Sequence, residues 1–477
     1  MLQMGTSYLS IHRLPFKEFE FIPKLFPLYL NQWKLDQIKL RKVPGDFPFQ
    51  QSPLCNNYQC PDKEGEPMYS LHYGKETISF DIPQEIEVDW ITYQQEPLAS
   101  FNCLNNALKT PIGSVPLYKA AKGKQSAVII ISDISRLCPS SLFLGQLIHE
   151  LNIAGIIDDK IKIIVALGMH RKQTTDELIQ LVGSDIYQRV NVLNHSPLSE
   201  DCVLMGTTSR GTPLEINKHV VEADFRIVTG NLEPHALAGV SGGLKAIVPG
   251  TASYRCIEHN HALSQKYKPT IGEANNVIRQ DLEEILNFIA IHFMLNVIVN
   301  HNQQLLGAVA GHPITAHRKG LELVKDTFLI KVNQLYDVVI VSPGGYPKDT
   351  QLYQSIKAFR NASTITKPGG KIIGVASCEE GFGNGLFQYW VETIQDRKVM
   401  TTKLKEKFVL GAHKISHVDE ILQQHQVFLY SKLPLSAVEL LGFQPILDLQ
   451  QTVNELMAKP SLQAAILPFG GLTFPQL

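Results

Sequence analysis

From about residue 125 the chain alternates two hydrophobic patterns. Short continuous runs of β-branched residues, SAVIIIS, KIIVALG and DFRIVTG, are separated by stretches whose apolar positions recur at helical spacing, such as SSLFLGQLIHELNIAGI. Continuous apolar runs of this length predict strands buried on both faces, and the repeated strand, loop and helix order predicts an α/β fold with mostly parallel sheets. A stretch opening at Met68, MYSLHYGKETISFDIP, alternates instead with a period of two, as a half-exposed strand does. IGEANNVIRQDLEEILNFIA reads as helical, and FMLNVIVNHNQQLLGAVAG as a hairpin turning at residues 300–302. A helix over about 314–327 leads into a second α/β unit, with YDVVIVSPGG, a helix over about 350–361 and KIIGVAS.

These patterns divide the chain into an irregular extension over 1–66, an α/β unit over 67–330 and a second over 331–464. An apolar, glycine-rich segment over 465–477 follows, which the pattern suggests returns to the first unit. No internal repeat or low-complexity tract interrupts this order.

Composition narrows the function classes. The 477 residues carry a net charge of -1 and no basic face with interleaved aromatics, which argues against nucleic acid as a partner. No apolar run reaches the roughly 18 residues of a membrane span, because Ile285–Val299 is interrupted by Asn287, His292 and Asn296. Seven scattered cysteines fit reduced thiols, and with no secretion signal the expected location is cytoplasmic. Cys55 and Cys60 could form half of a zinc knuckle, but no second pair follows them.

Candidate chemistry gathers where strands end, the place where open α/β sheets bind ligands. SAVIIIS leads into Asp133 and Arg136, KIIVALG into His170, and DFRIVTG into Glu233 and His235. The richest stretch, EPHALAGVSGGLKAIVPG, joins His235 and Lys245 through Gly239, Gly242 and Gly243. Consecutive amides in such a turn can form a nest for a phosphate, and Lys245 is either a point charge or a nucleophilic amine. A loop with a satisfied histidine and a surface lysine fits this stretch alone equally well. His259 and His261, two apart, would point to opposite faces of a strand, so at most one faces a site. In the second unit, Tyr353, Gln354 and Lys357 stand near a helix start, where amide and ammonium donors suit a carboxylate. GTTSRGTPLEIN lacks the phosphate-loop spacing, and neither a G-x-S-x-G elbow nor a dinucleotide fingerprint occurs.

In order, ISDISR, ALGMHRKQTTDE, EPHALAGVSGGLKAI, the Asn260-His261 pair and DTQLYQSIK closely resemble the lactate racemase family of nickel-pincer enzymes, with a likeness running from about Met68 to the C-terminus. The resemblance implies two α/β domains with an inter-domain active-site cleft. It also implies racemisation or epimerisation of a 2-hydroxy acid by hydride transfer, using nickel pyridinium-3-thioamide-5-thiocarboxylate mononucleotide covalently attached to a lysine. By that likeness Lys245 is the tether, His261 the protein ligand to nickel, and His170 and His235 the paired acid/base groups. Asp133, Arg136, Gly242 and Gly243 support the cofactor, and Arg136, Tyr353, Gln354 and Lys357 bind the substrate. The implied partners are a small 2-hydroxy acid and cofactor-synthesis proteins, with no nucleic acid and no membrane.

The residue types agree with that chemistry. The C2–H bond of a secondary alcohol is too weakly acidic for a side-chain base, so a hydride acceptor is needed, while two imidazoles can serve the hydroxyl proton of either enantiomer. One departure concerns substrate: where lactate-specific members carry a tryptophan, this chain has FVLGAHKISHVDE, with His413 and Lys414. Two other readings remain open, a metal-dependent hydrolase or lyase using His170, His235 and His261 directly, and a non-catalytic protein binding an anionic small molecule.

Overall fold

The computed structural model describes residues 59–61, 67–95, 102–267, 270–273 and 275–477. The extension over 1–58 and 62–66, with Cys55, lies outside the described residues. Two six-stranded sheets dominate the fold.

The first sheet contains β1 (Ala127–Ser132), β2 (Ile161–Ala166), β3 (Asn191–Asn194), β4 (Phe225–Asn231), β5 (Phe293–Val299) and β6 (Leu305–Gly311) in the order β6-β5-β4-β1-β2-β3. Its neighbours are parallel except for the β5–β6 hairpin. β4 and β5 are buried along their whole length, as expected of mostly apolar inner strands, and among their polar members Thr229 and Asn296 are hydrogen-bonded to backbone.

The second sheet contains β7 (Tyr336–Val341), β8 (Thr366–Val375), β9 (Gln426–Tyr430), β10 (Gln444–Pro445) and β11 (Ala464–Leu467), in the order β10-β9-β8-β7-β11. Val88–Trp90 completes the far edge, pairing in parallel with β11.

That edge strand corrects the sequence reading, which places residues 67–90 with the first unit. The hairpin of Pro67–Tyr73 and Glu76–Asp81 packs Tyr69, Leu71 and Phe80 against Val338, Ile340 and Ile373 of the second sheet. An alternating strand announces that it has an apolar face; it does not announce which surface will cover it. The C-terminal segment is divided too. β11 is an inner strand of the second sheet, whereas Phe469, Leu472 and Phe474 join the core of the first. Phe474–Gln476 pairs in parallel with Leu329–Lys331. Among the described residues no helix is long and apolar enough to cross a membrane.

Candidate active site

Each sheet has one switch point, where successive connections leave in opposite directions and open a crevice beyond the strand ends. In the first sheet it lies between β1 and β4; in the second, between β7 and β11. One cavity is lined from both, by Arg136 and His235 after β1 and β4, and by Pro343, Lys348 and Gly471 after β7 and β11. Topology alone thus directs four strand exits to one space.

After β1, Asp133 is buried and organises its neighbours. Its Oδ2 lies 3.1 Å from His170 Nδ1 and 3.8 Å from Arg136 Nε, and its Oδ1 accepts from the Ser135 amide at 2.8 Å and from the Ser135 hydroxyl. Burial alone would raise this carboxyl, but His170, Arg136 and Ser135 together hold it well below the usual carboxylate range. Since a carboxylate only accepts, the contact places a proton on His170 Nδ1 and leaves Nε2 of the neutral ring with a free lone pair.

After β4 the chain enters the 233–250 loop, which three buried polar side chains hold in place. Asn296, on neighbouring β5, accepts from the Gly243 amide at 2.8 Å and donates to the Gly230 carbonyl at 3.1 Å. Arg279 donates to the carbonyls of Ala238 and Val240, and His317 Nε2 lies 2.9 Å from the Ser241 carbonyl. The expected phosphate nest is thereby altered: the Gly243 amide is taken by Asn296. Gly242 and Gly243 have φ of 71° and 58°, and a Cβ on them would meet Leu232 at 2.5 Å and His317 at 2.8 Å. Backbone conformation and close packing therefore require both glycines.

His235 Nδ1 lies 3.2 Å from each of the Leu237 and Ala238 amides, which donate to it and leave the proton of the neutral ring on Nε2. Burial, followed by the charges of Lys245, Lys357, Arg136 and His261, pushes His235 well below the ordinary histidine range. Burial and the nearby Arg136 and Arg279 likewise push Lys245 well below the usual amine value, against a smaller opposing pull from Glu233. Desolvation that lowers a lysine amine in this way favours its nucleophilic, unprotonated form.

His259 and His261 stand on α1 (Tyr254–Lys266), not on a strand. Ser253 caps this helix, accepting from the Cys256 amide at 3.2 Å. The inference of opposite faces survives the change of element, because two residues on a helix are about 200° apart. His259 Nδ1 pairs with the Thr212 hydroxyl at 2.9 Å, whereas His261 Nδ1 is buried without a hydrogen-bond partner. Burial, with Lys245 adding to it, lowers His261 to about 4, so the imidazole is neutral and able to coordinate a metal.

The second sheet supplies charge. Tyr353, Gln354 and Lys357 lie on α2 (Leu352–Ser363), and Gln354 and Lys357 line the cavity. Burial pushes Lys357 well below the usual amine value, with Arg136, Lys414 and Lys348 adding to the effect. Burial raises the Tyr353 phenol, which stays neutral. Lys348 forms a buried ion pair with Glu233, 2.7 Å between Nζ and Oε2, that joins the exits of β4 and β7.

The sequence-derived candidates thus gather at one place: Asp133 holds His170 and Arg136, while His235 feels Arg136, Lys245, His261 and Lys357. Lys348, Arg279, Asn296 and His317 escaped sequence reasoning, for nothing local to them signals that they reach this loop. Among the described residues no three His, Cys, Asp or Glu side chains converge to hold a metal ion, so the three-histidine hydrolase reading has no ligand set.

Family models of the lactate racemase N-terminal and C-terminal domains match residues 73–272 and 332–466. A lactate racemase of Thermoanaerobacterium thermosaccharolyticum is 36% identical over 343 residues, 70% of this chain and 80% of that protein. That of Lactiplantibacillus plantarum is 33% identical over 336 residues, 69% and 79% of the two chains. The fold matches the lactate racemase apoprotein of T. thermosaccharolyticum with a TM-score of 0.77 and 31% identity, covering 86% of this chain and 100% of that one. A Thermotoga maritima protein, at 17% identity and a TM-score of 0.61 over 81% of this chain and 100% of that one, shares the fold. These likenesses, on an α/β scaffold with a polar cavity at its switch points, define an isomerase, a racemase acting on a hydroxy acid. The chain belongs to the lactate racemase family.

Proposed function

We propose that the protein racemises or epimerises a 2-hydroxy acid with a nickel-pincer nucleotide attached to Lys245. The observation that carries this reading is the convergence on His235: a half-buried imidazole that lines the cavity within electrostatic reach of Arg136, Lys245, His261 and Lys357. Two features suit the cofactor. Lys245 offers a desolvated amine held below its usual basicity for a covalent link, and His261 offers a neutral imidazole with Nδ1 unpartnered. The group, when bound, would supply reversible acceptance of the C2 hydrogen with its bonding electron pair.

The chain's own residues do the rest. Arg136 and Lys357 hold the substrate carboxylate, with Gln354 and Tyr353 beside them. His170 Nε2, with Asp133 behind the ring, is placed to take a hydroxyl proton, and the carboxylate stabilises the imidazolium that forms. His235 presents Nε2–H to an oxygen on the substrate. For the other enantiomer His235 takes the hydroxyl proton only after its own ring proton moves to Nδ1, which requires that atom to be released from the Leu237 and Ala238 amides. The cytosol is the proposed location, and proteins that synthesise the cofactor are the proposed partners.

The test is a chiral-product screen of 2-hydroxy acids with cofactor-loaded protein, followed by intact-mass analysis of the Lys245→Ala variant. Inversion at C2, much of a C2 deuterium label surviving it, and an adduct that disappears with Lys245 are the expected results. Complete washout of the label or an adduct independent of Lys245 would overturn the mechanism.

A further inference from the structure

The segment GTTSRGTPLEIN, whose glycines and hydroxyls suggest a phosphate loop without its spacing, has its donors satisfied inside the protein. It turns between the antiparallel strands Cys202–Thr207 and Pro213–Asn217. Glu284 accepts from the Ser209 amide and hydroxyl, each at 2.6 Å, and from Arg210 at 3.0 Å. Asp281, wholly buried on the helix Val277–Glu283, takes the others. Its Oδ1 accepts from the Thr208 hydroxyl at 2.5 Å, and its Oδ2 from the Thr212 hydroxyl and Asn260 Nδ2, each at 2.7 Å. All three donors are uncharged. A carboxyl group buried among uncharged donors costs free energy that an apolar side chain of similar size would not.

Asp281 meets α1 right beside the proposed nickel ligand. The Thr212 hydroxyl has its one proton directed at Asp281, so at its other contact it accepts, and His259 Nδ1, 2.9 Å away, is the donor. One carboxylate oxygen thus holds two consecutive residues of α1, Asn260 directly and His259 through Thr212. Asn260 Nδ2 also reaches the Ile278 carbonyl, at 3.3 Å. Successive residues point about 100° apart around a helix, so rotating or sliding α1 would break both holds, and would swing His261 with them. The His261 ring has no comparable hold of its own. Its Nδ1 is without a hydrogen-bond partner among the described residues, and the Ile257 carbonyl that acts on the ring belongs to the same helix. A metal-binding imidazole is ordinarily aimed by a group bonded to its other nitrogen, and losing that group costs about 10–100-fold in metal affinity. Here the aim is set by whatever fixes α1. We propose that Asp281, acting through Thr212 and Asn260, is the positioning residue for His261, holding α1 at the rotation that presents the imidazole to the cofactor's nickel. The inference rests on the nickel reading above and adds to it a residue that touches neither cofactor nor substrate.

Thr212→Val keeps the side-chain shape and removes the hydroxyl, Thr212→Ser keeps the hydroxyl, and Asp281→Asn removes the acceptor. In cofactor-free protein carrying 13C-labelled histidine, the His261 ring signal is identified by its loss in His261→Ala. It should be single and sharp in wild type and Thr212→Ser, and broadened or split in Thr212→Val and Asp281→Asn. In cofactor-loaded protein, intact mass should show the Lys245-linked adduct in wild type and all three variants. Nickel should nevertheless pass to an added chelator about tenfold faster from Thr212→Val and Asp281→Asn than from wild type or Thr212→Ser. Either an unchanged ring signal or unchanged nickel release in Thr212→Val would overturn the proposal. Leu147→Ala, a cavity in the same core on the helix Ser141–Ile153, sets what lost stability alone does. Nickel release accelerated as much by that change would overturn the proposal too, leaving Asp281 a purely structural residue. Failure of loaded wild type to hold nickel, with the ring effect of Thr212→Val intact, would defeat the nickel reading and leave the positioning of His261 standing.

Discussion

The two switch points are built alike and stocked differently. Around the first stand His170, His235, Lys245 and His261, groups able to exchange a proton, accept a covalent bond or coordinate a metal. Around the second stand Lys348, Lys357 and Arg360, basic side chains that line the cavity. His413, a buried histidine of that side, stacks on Phe408 at 5.1 Å and accepts from the Gly411 amide, a packing role. On the proposed function, one topology is used twice in the chain, once to present reacting groups and once to fix the reactant.

Substitutions on the two sides should therefore fail differently. The largest loss is expected for His170→Ala and His235→Ala, each lowering racemisation by roughly 10²–10⁴-fold. Chiral chromatography measures this, alongside thermal unfolding that stays near wild type. Next is the joint between the sheets. Glu233→Gln strands Lys348 in a site where the two side chains are only 14% and 11% exposed, and should cost about 3–5 kcal/mol, read by denaturant titration.

That joint also has a pH signature. Burial raises the Glu233 carboxyl, but Lys348, Lys357 and Arg136 outweigh it and leave it below its ordinary value. A depressed carboxylate stabilises the fold above its unfolded pKa and ceases to do so as pH falls through the folded one. Stability should thus decline on acidification below about pH 4.5, and less steeply in Glu233→Gln. On the charge side alone, Lys357→Met removes a charge-assisted contact of about 1.5–3 kcal/mol, which should raise KM at least tenfold with a smaller change in kcat. The smallest effect is expected at the rim, where Arg171, 46% exposed, pairs with Glu177; Arg171→Ala should change stability by less than about 1 kcal/mol.

The chemical side was more legible in the sequence than the charged side. Asp133, His170 and His235 follow mostly apolar, β-branched strands, AVIIIS, IKIIVA and FRIVTGN, whose burial makes them hard to mistake, and a polar cluster at such an exit is conspicuous. Lys357 and Gln354 were visible because they share one helix face. Arg360 was not, since an arginine one turn further along an amphipathic helix looks like solvent-facing surface. The helix carrying His261 was taken for a strand because YRCIEHNHALSQK has no wide apolar stripe; its clearest sign, Ser253 three residues before Cys256, is a capping signal. Arg279, Asn296 and His317 were silent for another reason: each reaches the 233–250 loop from a distant part of the chain, and only folding makes them neighbours.

Those three side chains set when the loop loses its freedom. Because Asn296, Arg279 and His317 tie its backbone down from three separate elements, the entropy of ordering it is spent as the protein folds and not as a ligand arrives. The Gly243 amide, held by Asn296, should therefore exchange slowly with solvent deuterium even in empty protein, and binding should sharpen that protection little. A cofactor docking there would meet a rigid receptor, and its affinity would go almost wholly into contacts.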